Sequence, residues 1–402
     1  MEMAMGLGLY VRLSLMMFLQ FTVWGSWSPV LASHLVGPLK MSGKQTGWIY
    51  ATLWLGCIIS PFIGGQIADR WAATEYFLAA VHLAGGVVLL VASRRTTFWG
   101  LFGLMGVYAL LYAPTFALAN SLMFANLENP ETQAGQIRVW GTIGWIAAGW
   151  SMAIWRHSGR FKVKGIDGLT LAGFLSIAMG IFCLFLPHTR PPQQPGNPLA
   201  FMAALNMLAE PGFLIFLVIS FVVTTQLQFY YMAAVPFLED IGIRHKSVSA
   251  VMTVAQFAEI LAMLFLLSWL LPKVGYRWAL AIGVIAWPLR YVAFAAMRPK
   301  SLVITSLALH GIGYTFFFFV GQMYVDKLAS PDIRASAQAL IAVVTLGFGN
   351  FVGTQITGVV LDLFKTDGKF RWRPIFLVPC VLTILCAVAF LLFFRPIEVI
   401  AQ

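Results

Sequence analysis

Glu259 stands in the middle of the apolar run Val251–Phe265, VMTVAQFAEILAMLF; the other acidic residues fall in loops or near the ends of apolar runs. A carboxyl group placed in hydrocarbon is expensive unless it faces protein or water, so an ionisable side chain there marks a functional position by default. Such a group can bind a polar ligand, or take up and release a proton. Gln256 precedes it by three positions and Thr253 by six, which puts all three toward one face of a helix. The competing role for Glu259 is a protonated carboxyl in a hydrogen bond between helices.

Four further segments carry polar side chains inside apolar sequence. Thr224, Thr225, Gln226, Gln228, Tyr230 and Tyr231 form a polar and aromatic stretch. Its amides and phenols suit hydroxyls and heterocycle edges, and its rings suit stacking. The same residues would also serve as glue between helices or as an interfacial aromatic belt. Arg138, Thr142 and Trp145 are spaced i, i+4, i+7 and make one helical stripe. The guanidinium fork fits hydroxyls or carboxylates, with a surface cation as the alternative. Arg290 follows Trp287-Pro288 and reads as an internal ion-pair or snorkelling residue. His310, Tyr314 and Thr315 precede Phe316–Phe319. His310 reads either as a proton carrier or as a hydrogen-bonded packing residue. Gly347, Gly349, Gly353 and Gly358 allow close helix approach or bending.

The elements that position these groups follow from composition. Of 402 residues, 60% are hydrophobic and 10% charged, against roughly 25% charged in an average soluble protein; the mean hydropathy is +0.83. A soluble chain cannot hide so many apolar groups behind so few charges. At about 20 apolar residues per span, the stock suffices for about twelve transmembrane helices. The runs do not alternate polar and apolar residues, which excludes an outer-membrane barrel. The net charge of +11 comes from basic residues in short loops, such as Arg94–Arg95 and Arg371/Arg373. That is a membrane-lipid surface pattern and not a nucleic-acid site. Cys57, Cys183, Cys380 and Cys386 all lie in apolar runs without a C-x-x-C pair, and read as packing residues. The first apolar run continues through Trp24 and Trp27 without a small-residue cleavage site, so it reads as a mature helix. No nucleophile–base motif, P-loop, metal-spaced histidine cluster or Rossmann glycine motif occurs, so neither metal nor cofactor is expected.

The spans are expected near 11–31, 46–67, 76–92, 98–123, 137–155, 169–186, 213–237, 247–271, 278–297, 302–325, 335–361 and 375–394. The segment His188–Pro198, HTRPPQQPGNP, cannot be a membrane helix. It divides the chain into a six-helix half over residues 1–187, a cytoplasmic linker over 188–210, and a second six-helix half over 211–402. An all-α membrane protein of two six-helix halves has the layout of the major facilitator fold, where substrate binds between the halves near mid-membrane. An even span count puts both termini on one side. Gly64-Gly65-Gln66-Ile67-Ala68-Asp69-Arg70 resembles the G-x-x-x-D-R/K signature of that superfamily. Gly65, Asp69 and Arg70 would then form a cytoplasmic conformational motif and place the termini in the cytoplasm. Lys and Arg are more numerous in the opposite set of loops, so the positive-inside rule points the other way.

The segments FLQFTVWGSW (Phe18–Trp27), IRVWGTIGW (Ile137–Trp145), AQFAEI (Ala255–Ile260), AWPLRYVAFA (Ala286–Ala295) and SPDIRASAQ (Ser330–Gln338) together resemble the bacterial nucleoside:proton symporter family. The likeness runs in order over nearly the whole chain. It implies the major facilitator fold, inward nucleoside transport across the bacterial inner membrane, and a monomer that handles a nucleoside and protons. By position it implies substrate contacts from Arg138, Thr142, Gln228, Gln256 and Glu259, with Trp145 where Phe is usual. His310 falls where Tyr is found, and Tyr314 where Phe is found. Three positions depart from the pattern: Tyr231 replaces Asn, Thr315 replaces Asp, and Phe318 replaces Asn. With that Asp gone, Glu259 is the mid-membrane carboxylate left for proton coupling, and His310 the second titratable group. Missing polar partners alter ligand discrimination strongly. A facilitative uniporter and an exporter of amphipathic compounds are therefore the rivals within transport. A polytopic receptor or membrane enzyme is the rival outside it.

Overall fold

The computed structural model describes residues 6–70, 73–127, 130–158, 167–189, 205–329 and 334–395. Among the described residues the regular structure is helical apart from one two-stranded hairpin, Lys365–Thr366 with Lys369–Phe370. A helix covers most of every apolar run read from the sequence. Among the described residues, nine helices are long and apolar enough to cross a membrane, and Asp167–Cys183 is a shorter apolar one. The helices form because uninterrupted apolar sequence in a lipid-like environment must satisfy its backbone groups within one segment.

The chain divides into two compact units, Met1–Pro195 with Leu238–Thr253, and Gly196–Phe237 with Val254–Gln402. In the first unit α1 (Leu7–Trp27), α2 (Leu31–Val36), α3 (Gly43–Arg70), α4 (Thr74–Ala92), α5 (Phe98–Ala125), α6 (Pro130–His157) and α7 (Asp167–Cys183) pack together. The α1–α6, α4–α7 and α3–α5 pairs are the most extensive. The segment Leu238–Thr253, read from the sequence as part of the second half, packs with this unit. Arg156 of α6 binds Asp167 through two nitrogens and donates to the His245 carbonyl at 3.1 Å. Thr253 belongs to the same packing, and its hydroxyl bonds the Ala250 carbonyl. Thr253 is the single turn residue between the helices His245–Met252 and Val254–Leu261, the second of which carries Gln256 and Glu259.

The second unit contains α8 (Pro211–Asp240), whose last three residues lie beyond the unit's Phe237 boundary, and α10 (Val254–Leu261), which follows the short α9 (His245–Met252). Then come α11 (Ser268–Ala296), α12 (Lys300–Ser306), α13 (Ala308–Gly313), α14 (Val320–Leu328), α15 (Arg334–Ala342), α16 (Asn350–Leu363) and α17 (Trp372–Phe393). Three π-helical turns, Ala262–Leu267, Tyr314–Phe319 and Val343–Gly349, interrupt this unit. Each shifts the phase of the helix that follows, and such turns are frequent at functional sites. The core of this unit is built from Phe213, Phe216, Trp287, Phe316, Phe317 and Phe390. Cys183, Cys380 and Cys386 are buried free thiols, and Cys57 is a half-buried one. The linker region 190–204 and the C-terminal residues 396–402 lie outside the described residues, as do the side chains of Gly65, Asp69 and Arg70.

Candidate functional site

The second unit gathers most of the polar residues singled out in the sequence. Gln228 of α8 is fully buried and donates from Nε2 to Asn350 Oδ1 at 2.7 Å. Asn350 is buried at the start of α16, where its own amide donates to the Leu346 carbonyl at 3.3 Å. The contact is possible because Gly353 sits against α8, where a Cβ would lie 2.4 Å from the Thr225 carbonyl oxygen. Gln228 Oε1 stays buried without a partner among the described residues.

A second group centres on Tyr230. The His310 ring stacks on it at 4.0 Å with an interplanar angle of 14°. Gln256 lies within hydrogen-bonding reach of the Tyr230 hydroxyl, while Gln256 Oε1 is buried without a partner among the described residues. Glu259 is on the same helix as Gln256 and is 8% exposed. Tyr231 and Tyr314 border His310 at 6.4 and 6.3 Å between ring centroids. Thr315 differs from these: it is wholly buried and its hydroxyl is aimed at the Glu259 carbonyl, 3.5 Å away.

Arg290 corrects the sequence reading of an ion-pair or snorkelling residue. It is completely buried in α11, and among the described residues it makes no ion pair. Its guanidinium donates to His310 Nδ1 at 2.8 Å and to Gln226 Oε1 at 3.4 Å. Tyr230, Trp287 and Tyr291 surround it, with centroids 5.0, 5.0 and 4.5 Å away. Ring faces stabilise a desolvated cation electrostatically, so aromatic side chains supply what a carboxylate would elsewhere.

Arg138, Thr142 and Trp145 lie on α6 of the first unit. Arg138 is exposed, and Thr142 and Trp145 are half-buried. Trp145 meets Trp24 edge to face at 5.0 Å, and Trp24 also packs on Phe116 at 5.1 Å. The sequence reading missed a buried polar network in this unit. His82 Nε2 contacts Gln20 Oε1 at 2.9 Å, and Gln20 Nε2 donates to Thr115 Oγ1 at 2.6 Å. Ser176 closes it by donating to the His82 carbonyl at 2.8 Å. Asn350 was also missed. Among the described residues no cluster of three His, Cys, Asp or Glu side chains has metal-binding geometry.

A membrane bundle with buried amides, a carboxyl and aromatic rings at one place resembles a carrier site for a polar heterocyclic ligand. The model of the family described as "Nucleoside H+ symporter" matches residues 7–398. The chain belongs to this family. Among the symporter's relatives, nucleoside permease NupG of Escherichia coli strain K12 is 29% identical over 97% of this chain and 96% of its own length. Xanthosine permease of the same organism is also 29% identical, over 96% of each. The crystal structure of nucleoside transporter NupG superposes with a TM-score of 0.86, at 28% identity, covering 97% of this chain and all of that one. A D-xylose–proton symporter shares the fold, with a TM-score of 0.75 at 13% identity. The family is one of membrane transporters and not of enzymes, which removes the membrane-enzyme rival.

The Gln228–Asn350 bond carries a prediction for this symporter. Asn350→Leu removes the acceptor of a buried amide, at a cost of about 1–3 kcal/mol. The purified variant should melt at lower temperature and bind nucleoside several-fold more weakly, while Gln355→Leu, on the same helix and outside the cluster, should change neither.

Proposed function

We propose that the protein carries nucleosides into the cytoplasm together with protons, by alternating access of two six-helix halves in the bacterial inner membrane. The twelve spans, the major facilitator arrangement, a linker over 188–210, cytoplasmic termini and a monomer belong to this reading. The observation that carries it is the pair of buried acceptors without a partner among the described residues, Gln228 Oε1 and Gln256 Oε1, with Glu259 buried on the same helix as Gln256. Buried polar atoms are rarely left without partners, and ribose hydroxyls are donors of the right kind. Tyr231 and Tyr314 offer rings for a base, each stack being worth roughly 1–3 kcal/mol in nucleic-acid sites. Arg138, Thr142 and Trp145 are assigned to the substrate on the strength of the family pattern. Gly65, Asp69 and Arg70 are assigned to the conformational change on the same ground.

Glu259 is assigned the proton, because an ionisable side chain in hydrocarbon marks a functional position by default. One observation favours a second reading. Thr315 stands where the family pattern has Asp, and its hydroxyl is turned to a backbone carbonyl. If that Asp is indispensable for coupling, the protein is a nucleoside uniporter. Uptake of radiolabelled uridine and adenosine into proteoliposomes tests both. Accumulation under an inward-acid gradient supports symport; equilibration without accumulation supports the uniporter; binding without uptake overturns transport.

A further inference from the structure

We propose that Arg290 holds His310 as the neutral tautomer protonated on Nε2, and that His310 thereby selects nucleosides carrying a ring carbonyl over those carrying a ring amino group. The proposal rests on the nucleoside reading above and adds the specificity determinant of that site.

The geometry fixes the tautomer. A guanidinium has only donors, so the His310 nitrogen that meets Arg290 at 2.8 Å must be an acceptor. Nδ1 therefore carries no proton, and the proton of the neutral ring is on Nε2. Protonating both nitrogens would set an N–H against an N–H beside a fixed positive charge. Arg290 cannot turn away easily, because three aromatic rings and Gln226 enclose it and it has no exposed surface. The groups that face His310 are Tyr230 of α8 on one side, and Tyr231, Trp287 and Tyr314 around it. Glu259 lies on α10, which packs closely against α13 at Gly311.

Among the described residues no hydrogen bond to His310 Nε2 is found, and the residue is otherwise enclosed, 2% exposed. An N–H without a protein partner is open to a ligand acceptor. The neighbours decide which part of the ligand that is. Tyr231 and Tyr314 present rings that suit a flat heterocycle, whereas the open amide acceptors that suit a ribose belong to Gln228 and Gln256. A single fixed donor then donates to O6 of a 6-oxopurine or O4 of uracil. It meets an amino group, itself a donor, in adenine or cytosine. Arg290 acts here as a positioning residue, and its charge is not itself a substrate contact.

Equilibrium binding to the purified full chain tests this with inosine against adenosine and uridine against cytidine, pairs that differ at that one ring edge. Wild type should favour the carbonyl member of each pair by tenfold or more. His310→Phe keeps the stack on Tyr230 and removes the donor, and should bring both ratios below about threefold. In wild type labelled with 15N at histidine, the His310 signals should show a neutral ring protonated on Nε2 from pH 5.5 to 8. This measurement needs no variant and stands even where His310→Phe fails to fold. Equal affinities within the pairs, ratios unchanged by His310→Phe, or an imidazolium signal would each overturn the proposal. Absence of binding by all four nucleosides would overturn the nucleoside reading, and this proposal with it.

Discussion

Proteoliposomes containing Glu259→Gln should lose nucleoside accumulation driven by an inward-acid gradient, yet still exchange nucleoside across the membrane at saturating concentration. The expectation follows from what the substitution keeps and removes. Gln preserves the size of the side chain and an oxygen acceptor, but it cannot take up a proton. With one proton carried per nucleoside, a gradient of one pH unit supplies about 1.4 kcal/mol, a tenfold concentration ratio. Wild type should approach that ratio, and the variant should stay at one. Binding should weaken by about tenfold, because a charge-assisted hydrogen bond to a hydroxyl becomes a neutral one. Gln256 shares the helix with Glu259 and does not titrate, so Gln256→Ala separates the two effects. It should weaken binding tenfold or more while leaving the response to the gradient intact. Full gradient-driven accumulation by Glu259→Gln would remove Glu259 from coupling. Absence of accumulation in wild type would leave facilitated diffusion.

The sequence made the helices legible because each apolar run is long, nearly free of charge and bounded by Gly, Pro or basic residues. It made Gln228, Gln256 and Glu259 legible because polar side chains inside such runs are conspicuous. The partnerships were not legible, because they join helices far apart in the chain. Asn350 lies among glycines that read as packing positions, yet its oxygen meets Gln228, 122 residues away. Arg290 reads as a cation in need of a carboxylate, and only the fold shows three rings and a histidine around it. Helical phase was the other obstacle. Three π-helical turns depart from the 3.6-residue period, and the one that opens at Tyr314 holds Thr315 and Phe316–Phe319. Gln20, His82, Thr115 and Ser176 come from four helices of the first unit, and no spacing in the sequence links them.

Gly311→Ala should abolish nucleoside binding, a loss of at least a hundredfold, and should lower the melting temperature of the purified protein. Gly311 lies on α13, one residue after His310, and faces α10, which carries Gln256 and Glu259. A Cβ there would stand 2.3 Å from the Ala255 carbonyl oxygen and 2.4 Å from the Glu259 nitrogen. Both are backbone atoms, so no rotamer change relieves the overlap, and the two helices must separate. Small residues at such crossings are what let membrane helices approach. Forcing a methyl group into packed backbone typically costs 1–3 kcal/mol, and more where neither side can shift. Separation would also carry Glu259 and Gln256 away from Tyr230 and His310, so the binding loss should exceed the stability loss. Gly103→Ala supplies the control, since a Cβ at Gly103 meets nothing within 4 Å. That variant should bind normally and melt no lower than wild type, because Ala favours a helix over Gly by about 1 kcal/mol. Normal binding by Gly311→Ala would show that the α10–α13 contact does not set the geometry of the site.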